Sequence, residues 1–388
     1  MSSSATGFPN RSIHVLAVMD TTAVSGPARQ LIALAKALRG QGVEMRILTF
    51  RRVGQDHTPF TLALASEQLS HVVLPERRWL DFRTLLAYRR EVCEGRPTLI
   101  QTHGYKATCM TWAVRMSGID TPWLGFFHGD TTENFKVRSF HLLDRLALRF
   151  ADRVVLVAEA LRDRFRHTKN HLVVLPNALL TPTGRGKIPD AVNGILRGLP
   201  KPLVGVIGRL SPEKGLDILL DATRILRLEH REFSVAVVGN GPELDNLKTR
   251  VESDSGLRSA VRFLGAFPAG DDLYLMLDLL VIPSLSEGLP NVLLEALAMR
   301  CRIIATAVGD IPEVLSDPLA GTMVPPGDPV ALAKAIGDSL RAVERETDVE
   351  RERRLTAIES TSARYSLGER VRRHLQLYTD LLNRTSGS

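Results

Sequence analysis

Arg209 and Lys214 stand in the stretch GRLSPEKG (208–215), directly after the apolar run LVGVI and before a helical pattern. Two fixed cations where a strand turns into a helix suit a diphosphate. Gly208 permits close backbone approach, and the start of a helix itself favours anions. A solvated basic turn is the competing reading. Further on, SLSEGLPN (284–291) leads into the helical VLLEALAM. Glu287 lies in that loop and Glu295 on the helix. Carboxylates there can accept hydrogen bonds from the hydroxyl pairs of a sugar or ribose, or serve as ordinary helix-surface and capping groups. Pro290 suits a first helical turn, so the backbone at Gly288, Leu289, Pro290 and Asn291 can face a ligand. The turn VGNGP (238–242) places Gly239 and Gly241 at another strand end. Half of such turns are purely structural, and this one lacks the third glycine and downstream acid of a dinucleotide site, which argues against a dehydrogenase.

The first half carries two histidines at strand ends, His103 in QTHG and His128 in FFHGD. Each fits either a sugar-contacting group or a satisfied structural histidine. Gly26, in SGPA after the first strand, can admit a phosphate or an acceptor close to the backbone. A Ser/His/Asp triad and a metal-binding His/Glu cluster are absent from the pattern, so neither a metal nor another cofactor is expected. Nucleic acid is not an expected partner, because no binding motif or aromatic-rich basic platform is present.

Strand ends must be positioned by a sheet, and the chain alternates strand and helix patterns throughout. Strands are expected at 12–18, 43–50, 72–74, 98–102, 123–127, 154–157 and 171–175, then at 203–207, 234–238, 261–264, 279–282 and 302–305. A Pro- and Gly-rich lapse, TPTGRGKIPDAVNGILRGLP, separates the two series. The fold class is therefore α/β with two Rossmann-like parallel-sheet domains: 11–178, a linker at 179–200, 201–365, and a final helix at 366–385. A chain of 388 residues with 44% hydrophobic content can give each domain its own core. Three cysteines with no CxxC pair build no disulfide framework and suit a reducing compartment. The opening MSSSATGFPN does not read as a secretory signal, and no apolar run is long enough to span a bilayer, so a cytoplasmic setting is expected.

Charge is unevenly spread. Residues 1–178 hold 24 Lys+Arg against 15 Asp+Glu, whereas the remainder holds 26 against 28. The stretch RRWLDFR (77–83) and the series Arg138, Arg145, Arg149, Arg153, Arg162, Arg164, Arg166 and Lys169 suit docking on an anionic membrane, or a plain solvated face.

Taken together, GRLSPEKG, VGNGPELDNL, RFLGAF, PSLSEGLPNVLLEALAM and GTMVPPGDP resemble, in order and spacing, the family-4 retaining glycosyltransferases of GT-B fold, over roughly residues 12 to 382. Pro176-Asn177-Ala178 resembles the Pro-Asn-Gly that ends the family's first domain, with alanine for glycine. Gly26-Pro27 departs from a common Gly-Gly, and Pro27 removes one N–H donor. The resemblance implies two domains facing across a cleft, with the nucleotide sugar, expected to be a UDP-sugar, on the second. Arg209 and Lys214 would hold the diphosphate, Glu295 the ribose, and Glu287 the sugar hydroxyls with the 288–291 backbone. His128 would lie near the transferred sugar. It further implies retention, no metal, a glycan or lipid-linked acceptor, and a last helix returning to the first domain. An epimerase or hydrolase of the same fold, and a non-catalytic sugar-nucleotide-binding subunit, are the alternatives.

Overall fold

A computed structural model of the protein describes residues 12–78, 81–129, 135–165, 172–180, 188–267 and 271–385. Trp79, Leu80, Asp130, Arg166, Lys169 and His171 fall outside the described residues, and of Arg138 only the backbone is described. The chain divides into two compact units, 1–177 with 367–388, and 178–366.

The first unit begins with β1 (Ile13–Met19), α1 (Gly26–Leu38), β2 (Val43–Arg52), α2 (Pro59–Ser66), β3 (His71–Glu76), α3 (Phe82–Gly95), β4 (Leu99–His103) and α4 (Tyr105–Met116). It continues through β5 (Trp123–Phe127), α5 (Phe135–Leu148), β6 (Arg153–Leu156), a 3-10 turn at Glu159–Phe165 and β7 (Leu172–Val174). The sheet order is β3-β2-β1-β4-β5-β6-β7, and every pairing is parallel. Strand order therefore reverses between β1 and β4, the place where open parallel sheets bind ligands at their carboxyl ends. Pro75 lies in β3, where it is tolerated because that strand is an edge.

The second unit holds α6 (Asp190–Arg197), β8 (Leu203–Ile207), α7 (Leu216–Leu228), β9 (Ser234–Val238), α8 (Leu244–Ser253), α9 (Ser255–Ala260), β10 (Val261–Gly265) and α10 (Asp271–Met276). Then come β11 (Leu279–Ile282), α11 (Asn291–Ala298), β12 (Ile303–Thr306), α12 (Ile311–Val314), β13 (Thr322–Val324), α13 (Pro329–Arg345) and α14 (Asp348–Ala363). Its sheet, β10-β9-β8-β11-β12-β13, is again parallel throughout, and its order reverses between β8 and β11. Buried Val204 and Val206 of β8 pack with Leu219, Leu220 and Leu226 of α7 and Ile336 of α13.

The last helix, α15 (Leu367–Thr385), belongs to the first unit. Val371, Leu375, Tyr378 and Leu381 recur at helical spacing and join the core with Leu31 and Leu34 of α1 and Val15 and Ala17 of β1.

Two features differ from the sequence expectation. The stretch 179–200 belongs to the second unit and contains α6, whose eight residues include Gly194 and are flanked by prolines and glycines that read as linker. β13 is an additional strand; with three residues, two of them exposed, its period-2 signal is too short to detect.

Candidate active site

In the second unit, the loops after β8 and β11 meet at the point of strand-order reversal. The Leu285 amide donates to the Glu213 carbonyl at 2.8 Å, tying the two loops together. Lys214 Nζ and Glu287 Oε1 then form an ion pair at 2.6 Å, and Ser284 Oγ donates to the same oxygen at 2.7 Å. The structure thus joins two residues that the sequence assigns separate tasks. Arg209 lies exposed in the β8 loop beside Gly208.

Close backbone packing explains the glycines nearby. A Cβ on Gly239 would lie 1.8 Å from the Gly208 carbonyl oxygen, so only glycine lets the loop after β9 lie on the loop after β8. Gly241 approaches the Leu210 carbonyl similarly. Gly309, which the sequence reading missed, has φ +57°, and its Cβ would meet the Gly288 carbonyl oxygen at 2.4 Å. It seats the loop after β12 under the Glu287-Gly288 backbone, where the Asp310 amide donates to the Gly288 carbonyl at 2.9 Å.

Pro290 falls just outside α11 rather than in its first turn. Its ψ of 127° is extended, and the helix starts at Asn291. Leu289 and Pro290 are buried, whereas Gly288 and Asn291 keep some exposure. Glu295 is buried too, not a helix-surface residue, and the Tyr274 hydroxyl donates to its Oε2 at 2.6 Å.

In the first unit, His103 ends β4 and His128 follows β5 on the neighbouring strand. His103 Nδ1 is 2.9 Å from His128 Nε2, and His103 Nε2 is 2.8 Å from Gln101 Nε2. The Tyr378 hydroxyl of α15 donates to Gln101 Oε1 at 2.6 Å. Burial, followed by the nearby Arg370 charge, pushes the His128 imidazole down to about 3. Burial likewise holds His103 well below the usual histidine value, with His128, Arg370 and His374 adding to the effect. Both rings are therefore neutral at ordinary pH. His128 keeps some surface as a residue, yet its Nδ1 is buried and has no hydrogen-bond partner among the described residues.

Arg370 of α15 is buried and donates to Gln30 Oε1 at 2.9 Å, Asn177 Oδ1 at 3.0 Å and the Pro176 carbonyl at 3.2 Å. Asn177 is thus an anchor for the returning helix. Gly26 is the first residue of α1, the helix that follows β1. On the other side of β1 the structure adds a cluster with no sequence signature: buried Lys106 pairs with Glu76 and lies 3.6 Å from Asp20, with its ammonium 4.3 Å above the Phe50 ring. Burial raises the Asp20 carboxyl.

Residues 25–178 match the model described as glycosyl transferase 4-like domain, and residues 201–342 match that of glycosyl transferases group 1. The chain belongs to the GT-B family-4 glycosyltransferases. The transferase is 28% identical to a 2-deoxystreptamine N-acetyl-D-glucosaminyltransferase of Streptomyces fradiae, over 94% of this chain and 93% of that protein. A GDP-mannose-dependent phosphatidylinositol monomannoside mannosyltransferase of Mycolicibacterium smegmatis is 35% identical, over 36% of this chain and 39% of its own length. Among solved structures, Anabaena Alr3699/HepE in complex with UDP-glucose is similar in fold, with TM-score 0.76, 19% identity, and coverage of 95% of this chain and all of that one.

Proposed function

We propose that this transferase moves a sugar from a UDP-sugar to a hydroxyl of a glycan or lipid-linked acceptor, with retention and without a metal, in cell-surface polysaccharide or glycolipid assembly. The observation that carries the proposal is the Lys214–Glu287 pair at the point where the strand order of the second sheet reverses, with Arg209 in the same loop. There the cations neutralise a diphosphate and the carboxylate takes sugar hydroxyls. The bond from the anomeric carbon to the phosphate oxygen breaks, and its electron pair leaves with the nucleoside diphosphate. The acceptor oxygen attacks from the same face, and its proton passes to the departing phosphate. Stabilising the charge on that leaving group is the largest catalytic contribution. Glu295 is assigned to the ribose and His128 to the transferred sugar.

UDP-glucose in the Anabaena structure supports the choice of donor. The phosphatidylinositol acceptor named for the mycobacterial relative supports a lipid-linked one. No described helix is long and apolar enough to cross a membrane. Exposed Trp112 and Met116 of α4, with Leu142, Leu143 and Leu146 of α5 and Phe150 after it, accompany Arg145 and Arg149, which suits peripheral contact with an anionic cytoplasmic leaflet.

A thermal-shift panel of nucleotide sugars identifies the donor, and product analysis with radiolabelled donor, with and without acceptor, identifies the reaction. Label transferred only when acceptor is present supports the proposal. Epimerised or hydrolysed donor in both arms overturns it, as does donor binding with no turnover at all.

A further inference from the structure

The first unit contains a buried hydrogen-bond chain that runs from the returning helix to the histidine at the end of β5: Tyr378, Gln101, His103, His128. Its directions follow from the orientation of the Gln101 amide, with Oε1 at Tyr378 and Nε2 at His103. Tyr378 donates to Gln101 Oε1, so the Gln101 amide nitrogen faces His103 Nε2. An amide nitrogen only donates. His103 Nε2 must accept, which leaves the His103 proton on Nδ1. That proton faces His128 Nε2, so Nε2 accepts in turn and the His128 proton resides on Nδ1. A protonated His103 would set two donors against each other, so the neutral state is required by geometry as well as by burial.

The rings are also fixed in plane. His103 stacks on Phe126 with centroids 4.6 Å apart, and the His103 and His128 rings are stacked at 5.2 Å. What remains is a single buried donor, His128 Nδ1–H, with no partner among the described residues. An unsatisfied buried donor costs on the order of 1–3 kcal/mol, and a bound oxygen offsets that.

We propose that Gln101, His103 and Tyr378 are positioning residues that lock His128 in the tautomer carrying its proton on Nδ1, so that His128 donates a hydrogen bond to a hydroxyl oxygen of the transferred sugar. This rests on the reading that His128 lies at the sugar. The lock originates in α15, so the last helix of the chain sets the chemistry of a residue more than two hundred positions upstream.

The test uses the full chain labelled with 15N-histidine. Two-bond 1H–15N correlation spectra report which ring nitrogen of each histidine bears the proton, independently of activity. In the wild type, His128 Nδ1 is expected to be the protonated nitrogen. Gln101→Met removes the amide that orders the relay at nearly constant volume. It should return His128 to a mixture of tautomers and lower kcat by at least about 10-fold, with a smaller change in donor KM, because an oriented donor contributes most in the transition state. Tyr378→Phe, which frees the Gln101 amide to rotate, should shift both readouts in the same direction and serves if Gln101→Met does not fold. A wild-type His128 protonated on Nε2 overturns the relay whatever the kinetics, and so does an unchanged tautomer in a folded Gln101→Met. His128→Ala separates the underlying reading. If it transfers sugar at the wild-type rate, the placement of His128 at the sugar is wrong. If it is impaired while Gln101→Met, with its tautomer shifted, turns over normally, the positioning proposal alone falls.

Discussion

Replacing Glu287 by Gln keeps the shape of the side chain and removes the charge that Lys214 faces at 2.6 Å. In the proposed complex, Lys214 serves the carboxylate and the diphosphate at once, so the two anions lie roughly 6 Å apart across one ammonium. A pair of unit charges at that separation interacts by roughly 0.7 kcal/mol in water and roughly 3 kcal/mol at an effective dielectric constant of 20. The side chains of Lys214 and Glu287 are 27% and 10% exposed, so water screens them partly and the lower end applies. Removing the carboxylate should therefore release about 1 kcal/mol of repulsion and tighten UDP binding about fivefold. Turnover should move the other way, falling by on the order of 10- to 100-fold, because the carboxylate no longer holds the sugar hydroxyls and Lys214 loses its fixed position. Ser284 can still donate to the amide oxygen of the substituted side chain, so little stability is lost. Isothermal titration with UDP, paired with steady-state kinetics, reads both quantities. Weaker UDP binding by a folded Glu287→Gln would show that the pair does not share its lysine with phosphate.

Arg209→Ala and Lys214→Ala should each reduce kcat about 100-fold or more, the scale for losing one preorganised charge-stabilising group, and the double variant should be less than additive. Near-normal kcat in the folded single variants would overturn the leaving-group mechanism. Turnover should be insensitive to a chelator, because the loop cations supply the positive charge a divalent ion otherwise provides; activity lost in chelator and restored by magnesium or manganese would contradict this. Liposome binding should rise with anionic lipid, fall with salt, and weaken in a Leu142→Ser/Leu146→Ser/Phe150→Ser variant. Equal binding to neutral and anionic vesicles would remove the membrane proposal. Burial depresses His103, His128 and His374 below the unfolded histidine value, His128 and His374 to about 3, so the unfolded chain takes up more protons as pH falls below 6.5. Their contribution to stability is complete above pH 6.5 and is lost as pH falls below that value, by up to about 1.4 kcal/mol per pH unit for each histidine. Melting temperature should thus drop between pH 7 and 5, and a flat profile there would refute the buried neutral state.

The sheet strands were legible because a parallel strand covered on both faces reads as a continuous β-branched run, as in SIHVLAV and LVGVI. The loops after β8 and β11 were legible for a related reason: glycine, proline and charge are concentrated at strand ends, and close backbone approach leaves that record. The pairing of Lys214 with Glu287 was not, because adjacency across a strand-order reversal depends on which strands become neighbours, not on spacing in the chain. The same applies to Gly309, whose need for glycine is set by the Gly288 carbonyl of another loop. Gln101 and Tyr378 looked like ordinary residues of a strand and a helix. Their partners lie two and 277 positions away, and no local pattern encodes the longer link.

The second unit is an insertion, in connectivity, between Asn177 and Leu367 of the first. During synthesis the ribosome must therefore deliver all of 178–366 before the chain that closes the first unit emerges. Until then the seat of Arg370 among Gln30, Pro176 and Asn177 is open, as is the apolar face of α1. The early part of the chain waits for the late part. A nascent or truncated chain ending near Ser366 can hold a finished second unit while the first is unsealed.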